Sequence, residues 1–161
     1  MVAFADNSLQ DAFHRTLREV RFTEQLAGRV HGRVARKASC EHLRHMLLSQ
    51  QNEGAHRMYR LNQVFGMIGK SARAETCGDI RDMTLELESY LRQAEPEQPA
   101  DALLICWERQ IEAYLLGRYG TLKDWSGKLG LSAAEDMMDE TLQDVRRAAA
   151  RFENVVNPMA A

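Results

Sequence analysis

Acidic side chains interrupt the apolar faces of the long helices that this sequence predicts. Glu24 lies within a stripe of apolar and small residues, and Glu112 lies on the same side of its helix as its apolar neighbours. Glu53 and Asp144 flank two further apolar stripes. Burying a lone carboxylate costs free energy, so each of these groups needs a cationic partner, a metal ion or a route to water.

The spacing of these groups repeats between the two halves of the chain. Glu24 and His56 are 32 positions apart, and so are Glu112 and Asp144. Two helical hairpins of similar geometry would bring such positions to one height, which is the arrangement of a carboxylate-bridged di-metal site. Glu53 and His56 also have Glu-x-x-His spacing, so both can reach one ion. The candidate metal ligands are therefore Glu24, Glu53, His56, Glu112 and Asp144.

A metal-free interpretation stays open for the same residues. The matching position on the last helix is Glu140-x-x-Gln143, which lacks an imidazole, and glutamine is a poor ligand for iron. Arg57, Arg60 and Arg118 are available to neutralise the carboxylates instead. Iron or manganese and no cofactor at all are thus equally compatible with the pattern. Motifs for a serine nucleophile, a phosphate loop or a dinucleotide are absent from the sequence, so the question of whether this is an enzyme stays open.

The elements that position these residues are expected to be helices, because apolar residues recur at helical spacing without strand-like alternation. The expected helices span about 6–30, 40–68, 80–91, 100–125 and 132–156. Short loops give antiparallel hairpins, and one long crossover, here about 70–99, is typical of the ferritin-like four-helix bundle. We therefore predict an all-α fold: a single ferritin-like domain over 1–161, made of two antiparallel helical hairpins with a short helix in the crossover and a frayed tail at 157–161.

Composition excludes several classes of protein. The chain has 161 residues, a net charge of −2 and a pI of about 6.2, which argues against a nucleic-acid binder with a basic patch. It has no apolar run long enough to span a membrane, and its first residues do not resemble a signal peptide. The three cysteines form no CxxC motif and are odd in number, which favours a reducing cytoplasm, and each is expected to be a small core residue.

The charge is unevenly distributed along the chain. Residues 1–60 hold ten Lys and Arg against six Asp and Glu, giving +4, whereas residues 61–161 hold 11 against 17, giving −6. The first stretch is therefore either a solvated helix face or a surface for an acidic partner, for which a second copy of the chain is one candidate. The recurring cations are Arg15, Arg18, Arg21, Arg29, Arg33, Arg36 and Lys37.

Four motifs carry a resemblance to a known family. They are Leu17-Arg-Glu-Val with Glu24-Gln-Leu26, Arg60-Leu-Asn-Gln-Val-Phe65 followed by Gly69, Glu112-Ala-Tyr114 with Tyr119-Gly-Thr121, and Glu140-Thr-Leu142. Over residues 8–156 the chain resembles the YciE/YciF family of ferritin-like proteins, a bacterial domain-of-unknown-function family tied to stress responses. The resemblance implies a cytoplasmic, dimeric bundle with a rubrerythrin-like metal site.

The resemblance also bears on the candidate ligands. Glu24, Glu53, Glu112 and Asp144 match acidic positions of the family, at which iron or manganese would react with oxygen or peroxide. At other family ligand positions this chain has different residues, namely Arg57, Ala113, Leu115 and Val145. The expectation is a stress-associated protein with a partly degenerate di-metal site. The alternative is a metal-free dimeric helical scaffold or protein-interaction module. Neither interpretation calls for nucleic acid or a membrane.

Overall fold

The computed structural model describes residues 8–93 and 100–156. All the regular secondary structure within those ranges is helical. A single 3-10 turn, Ala35–Lys37, follows the first long helix. The predicted all-α fold is therefore confirmed. The α-helices are α1 (Leu9–Val34), α2 (Glu41–Met67), the shorter α3 (Gly78–Gln93), α4 (Ala100–Lys128) and α5 (Ser132–Val156).

The helices form two hairpins joined by a crossover. α1 packs mainly on α2 and α4 packs mainly on α5, while α1 also contacts α4 and α2 also contacts α5. The four long helices therefore lie at the corners of a square in which α2 is diagonal to α4. α3 lies within the connection between the hairpins and packs on α4. This is the ferritin-like four-helix bundle with a crossover helix.

Apolar stripes on the four long helices build the core. Fully burying one large apolar side chain contributes about 1.5–3 kcal/mol, so a run of such residues on each helix outweighs the weak helix propensity of single positions. The buried residues include Phe13, Leu17 and Val20 on α1, Leu47, Leu61 and Phe65 on α2, Trp107, Ile111 and Leu115 on α4, and Met138, Leu142 and Phe152 on α5.

Glycine ends two of these helices. Gly69 and Gly130 have φ values of 67° and 71°, a left-handed conformation that residues with a Cβ rarely adopt. The N–H of Lys70 then donates to the carbonyl of Phe65 at 3.0 Å, and the N–H of Leu131 donates to that of Ser126 at 2.9 Å. These closing hydrogen bonds follow the Schellman pattern, as expected for a helix ending at Gly69.

Some expected boundaries differ from the structure. α1 continues to Val34 rather than ending near Val30, because Val30, His31 and Val34 are all buried and continued packing outweighs the helix-weakening effect of Gly28 and Gly32. α4 likewise continues three residues beyond Trp125 to Lys128. Ser8, one of the three predicted start positions of the first helix, is the N-cap residue of α1. The other two starts at 6 and 7, the predicted break at 95–100 apart from Ala100, and the frayed tail at 157–161 lie outside the described residues.

The cysteines are less buried than expected. Cys40 and Cys77 are half-buried, and Cys106 is exposed on α4. The prediction that each is a core residue is therefore wrong for Cys106. Its side chain lines a groove between α3 and α4.

Candidate functional site

A buried polar network joins three helices at the centre of the bundle. Arg57 on α2 donates to Glu24 on α1 through two hydrogen bonds, with Nε 2.6 Å from Oε1 and Nη2 3.1 Å from Oε2. The hydroxyl of Tyr119 on α4 donates to the same Oε1 of Glu24 at 2.7 Å. Glu24 and Arg57 are each only 3% exposed, and Tyr119 is fully buried. The Glu24 carboxylate is thus held by one cation and one neutral donor.

The electrostatics of this network favour a charged pair. Burial alone would lower the pKa of Arg57. The attraction of the adjoining Glu24 carboxylate is larger than this effect of burial and holds the pKa of Arg57 above its usual range. Burial and the negative charge of Glu24 raise the pKa of Tyr119 well above its ordinary value, so this phenol stays protonated and donates. The Nη1 atom of Arg57 is buried with no hydrogen-bond partner among the described residues. Both N–H groups of this nitrogen are therefore left without an acceptor among those residues.

Gly54 allows α2 to approach the network closely. A Cβ built at this position would lie 3.3 Å from Oε2 of Glu24 and 3.5 Å from Nη2 of Arg57. The Glu-x-x-His motif noted in the sequence contains this glycine between Glu53 and His56. The small residue thus has a packing role beside the Glu24–Arg57 pair.

Glu112 is buried on α4, and among the described residues it forms no ion pair, although the charges of Arg57 and Arg109 act on it at longer range. Its Oε1 accepts a hydrogen bond from Nε2 of Gln50 at 3.0 Å. Burial, together with the nearby negative charges of Glu108 and Glu153, raises the pKa of Glu112 from 4.5 to about 8. The carboxyl group is therefore largely protonated at neutral pH in the metal-free protein, and a metal ion would have to displace this proton in order to bind.

A second buried acid–base pair was not predicted from the sequence. Nε2 of His31 on α1 lies 2.6 Å from Oε2 of Glu108 on α4, and both side chains are almost fully buried. The His31 ring packs edge-on against Trp107, whose indole N–H donates to Thr84 on α3 at 3.1 Å. One sequence feature could have indicated that Glu108 is buried. It lies one helical turn before Glu112 and on the same side of α4.

The other three predicted ligands line one surface cleft between α2 and α5, about 270 Å³ in volume. Glu53 is paired with Arg151, and Asp144 is paired with Arg60 and Arg147. His56 is exposed. The lining residues of the cleft are Glu53, His56, Arg60, Asp144, Arg147 and Arg151.

The five predicted ligands therefore differ in their hydrogen-bond and ion-pair partners. Glu24 lies in the arginine network, Glu112 beside Gln50, and the remaining three at the cleft. In the described part of the chain, three or more His, Cys, Asp or Glu side chains do not come together in a group that could hold a metal ion. The donor set does not fit a carboxylate-bridged di-metal centre, because a guanidinium engages both oxygens of Glu24. The assignment of the five residues as metal ligands stays a prediction.

Comparison with known proteins agrees with this fold. Protein YciF of Escherichia coli K12 is 24% identical over 138 residues, which cover 85% of this chain and 83% of YciF. The crystal structure of the E. coli stress protein YciF has a TM-score of 0.85 at 22% identity and covers 92% of this chain and 94% of its own. YcfI of Rhodopseudomonas palustris has the same TM-score and identity, with 94% and 98% covered.

Two further findings concern the class of protein. Within the described ranges, none of the helices combines the length and the apolar character needed to cross a membrane. One family model matches residues 8–161, nearly the whole chain. The chain therefore belongs to this family, which is described as a domain of unknown function (DUF892).

Proposed function

We propose that this chain is a stress-associated helical-bundle protein that acts as a dimeric scaffold or interaction module, with its central polar site closed by an internal cation. The observation that carries the proposal is the two-point contact of Arg57 with Glu24. A guanidinium bound at both oxygens competes with a metal ion for the same lone pairs. The association with stress is taken from the similarity to the E. coli stress protein YciF.

The metal content of the protein tests the central part of this proposal. Untagged protein is analysed by elemental mass spectrometry, and its melting temperature is compared with and without chelator. We expect no stoichiometric metal and no effect of chelator, because a ligand bound only to the native state would raise the melting temperature. One or two iron or manganese ions per chain, lost in Glu24→Gln, would contradict the proposal.

A gain of metal binding provides a positive test of the same idea. Arg57→His removes the internal cation and leaves Glu24 to acquire an external one, so this variant is expected to bind Co²⁺ or Mn²⁺ more tightly than the wild type. Arg109→His is the matched control, because Arg109 pairs with Glu153 on the surface. Equal gains in both variants would show that any added histidine produces the effect.

The outer face of α2 supports the dimeric part of the proposal. Leu48 and Tyr59 are exposed there by 40% and 65%. Interfaces between copies favour tyrosine and are poor in charge at their centre, and a two-fold interface without charge brings no like charges together. None of the exposed residues from Leu48 to Gly66 is an Asp, Glu, Lys or Arg. They are Leu48, Gln51, Asn52, Ala55, His56, Tyr59, Asn62 and Gly66.

Light scattering after size-exclusion chromatography tests this dimer. We expect twice the 18.3 kDa mass of the chain for the wild type and a single-chain mass for Leu48→Glu/Tyr59→Glu. Tyr90→Glu is the control, since Tyr90 is similarly exposed but lies on α3. A monomeric wild type, or a dimer unaffected by the double substitution, would contradict this surface.

A further inference from the structure

A groove of about 230 Å³ runs between the end of α1 and the second half of α3. Val34 and Leu91 are buried and supply its apolar floor. The remaining lining side chains are charged and form its rim. They are Arg33, Lys37, Glu88 and Arg92.

The rim carries unbalanced positive charge. Arg33 donates to Glu88, which neutralises one cation. Lys37 and Arg92 are exposed and pair with no carboxylate in residues 8–93 or 100–156. Arg29, one turn before Arg33, is also exposed. Arg29 and Arg33 lie on one side of α1, and Lys37 follows in the 3-10 turn, so cations border the groove from α1 into that turn.

We propose that this groove binds an acidic amphipathic helix of another protein. Its volume is below the range of about 300–1,000 Å³ that is typical of small-molecule pockets, and its apolar floor with a charged rim matches the two faces of an amphipathic helix. Leu85, exposed on α3 one turn before Glu88, adds an apolar side chain on the same side of that helix. Acidic residues on one side of the bound helix would face the cations of the rim, while its apolar residues would contact Val34 and Leu91.

The position of the groove keeps it free in the dimer proposed above. That dimer uses the outer face of α2, which is diagonal to α4, whereas the groove lies beside α3, which packs on α4. This groove rests on the proposed role as an interaction module and specifies its partner as an acidic amphipathic helix. Its test does not depend on the metal content of the core, so the two can fail separately.

Fluorescence anisotropy with the full-length protein tests the groove. The probe is a labelled peptide of about 15 residues with glutamate at every fourth position beside a stripe of leucine. A peptide of the same composition in scrambled order, and one with lysine in place of glutamate, are the reference probes. The variant Lys37→Glu/Arg92→Glu reverses the unpaired rim charges. Its control is Arg73→Glu/Lys128→Glu, which makes the same change in net charge at two other exposed positions.

The wild type is expected to bind the amphipathic acidic peptide at least ~10-fold more tightly than either reference peptide. The rim variant is expected to lose that preference, and the control variant to retain it. Equal binding of the scrambled peptide, or equal loss in both variants, would overturn the proposal because it would show charge attraction alone. A change in oligomeric mass in the rim variant would also overturn it, since the occupant would then be a second copy of the chain.

Discussion

Glu24 and Arg57, 33 residues apart in the sequence, form a two-point ion pair inside the bundle, between α1 and α2. Tyr119 adds a third donor to the same carboxylate from α4. Because both charges are removed from water, neither can be left alone without a large desolvation cost. The pair therefore fixes the register of α1 against α2 at this height, since sliding either helix would separate the two charges.

Replacing Arg57 by methionine is expected to destabilise the protein by about 3–5 kcal/mol, because Glu24 would be left as an unpaired buried charge. The double variant Glu24→Gln/Arg57→Met is expected to recover most of this loss, since the remaining amide is neutral and Tyr119 can still donate to it. Urea unfolding at pH 7, with equal m-values for all variants, measures the differences.

The exposed pair Arg109–Glu153 is the reference for this experiment. The two side chains are 47% and 46% exposed, so Arg109→Met should cost less than about 1 kcal/mol. If Arg57→Met costs no more than Arg109→Met, or if the double variant is no more stable than the single one, the buried pair does not have the role assigned to it.

The sequence predicted the bundle well for a physical reason. Its apolar residues recur at helical spacing on each long segment, and this pattern alone determines which face of the helix is buried. Helix ends were predicted less accurately, because the burial of Val30 and Val34 outweighed the local effect of Gly28 and Gly32. The residues at a helix end do not by themselves indicate whether tertiary packing will extend the helix.

The partners of the buried groups were less predictable than the groups themselves. Glu24 and Glu112 were expected at core-facing positions, and both are buried. Arg57 was one of three arginines available to neutralise them, and spacing along α2 could not distinguish Arg57 from Arg60. His31 was missed as the partner of Glu108, because the contact depends on the register between α1 and α4. Sequence periodicity gives the face of a helix but not its register against a neighbour.

Gly54→Ala is expected to destabilise the protein although alanine favours helix. The new Cβ would lie 3.3 Å from Oε2 of Glu24, a carboxylate held by Arg57 and Tyr119 and therefore unable to move away freely. Gly117→Ala on α4 is the matched control, because its Cβ meets nothing within 4 Å. The control should gain about 0.5–1 kcal/mol from helix propensity. Thermal unfolding of both variants provides the test, and similar gains in both would rule out a tight approach at Gly54.

Cys106 is expected to be the most reactive thiol of the native protein. It is exposed, whereas Cys40 and Cys77 are only partly accessible, and reaction with a disulfide reagent requires access to the thiolate. Titration with 5,5′-dithiobis(2-nitrobenzoate) under native conditions should give one fast phase, which Cys106→Ser removes. Cys40→Ser and Cys77→Ser should leave that phase intact. A fast phase that persists in Cys106→Ser would contradict the exposure of this side chain.

Glu112 should make stability fall as the pH rises through the neutral range. Its pKa is raised from 4.5 to about 8 by burial and by the charges of Glu108 and Glu153. The native state therefore binds more protons than the unfolded state between these values, so the free energy of unfolding decreases from about pH 5 to pH 8 and then levels off. Glu112→Gln mimics the protonated form and can still accept from Gln50, so it should remove this component and be more stable than the wild type at pH 9 by about 1–3 kcal/mol. Urea unfolding at pH 5, 7 and 9 measures the slope, with the exposed Glu41→Gln as the control. If the wild type and Glu112→Gln have the same slope, Glu112 titrates as it does in the unfolded chain, and the raised pKa is wrong.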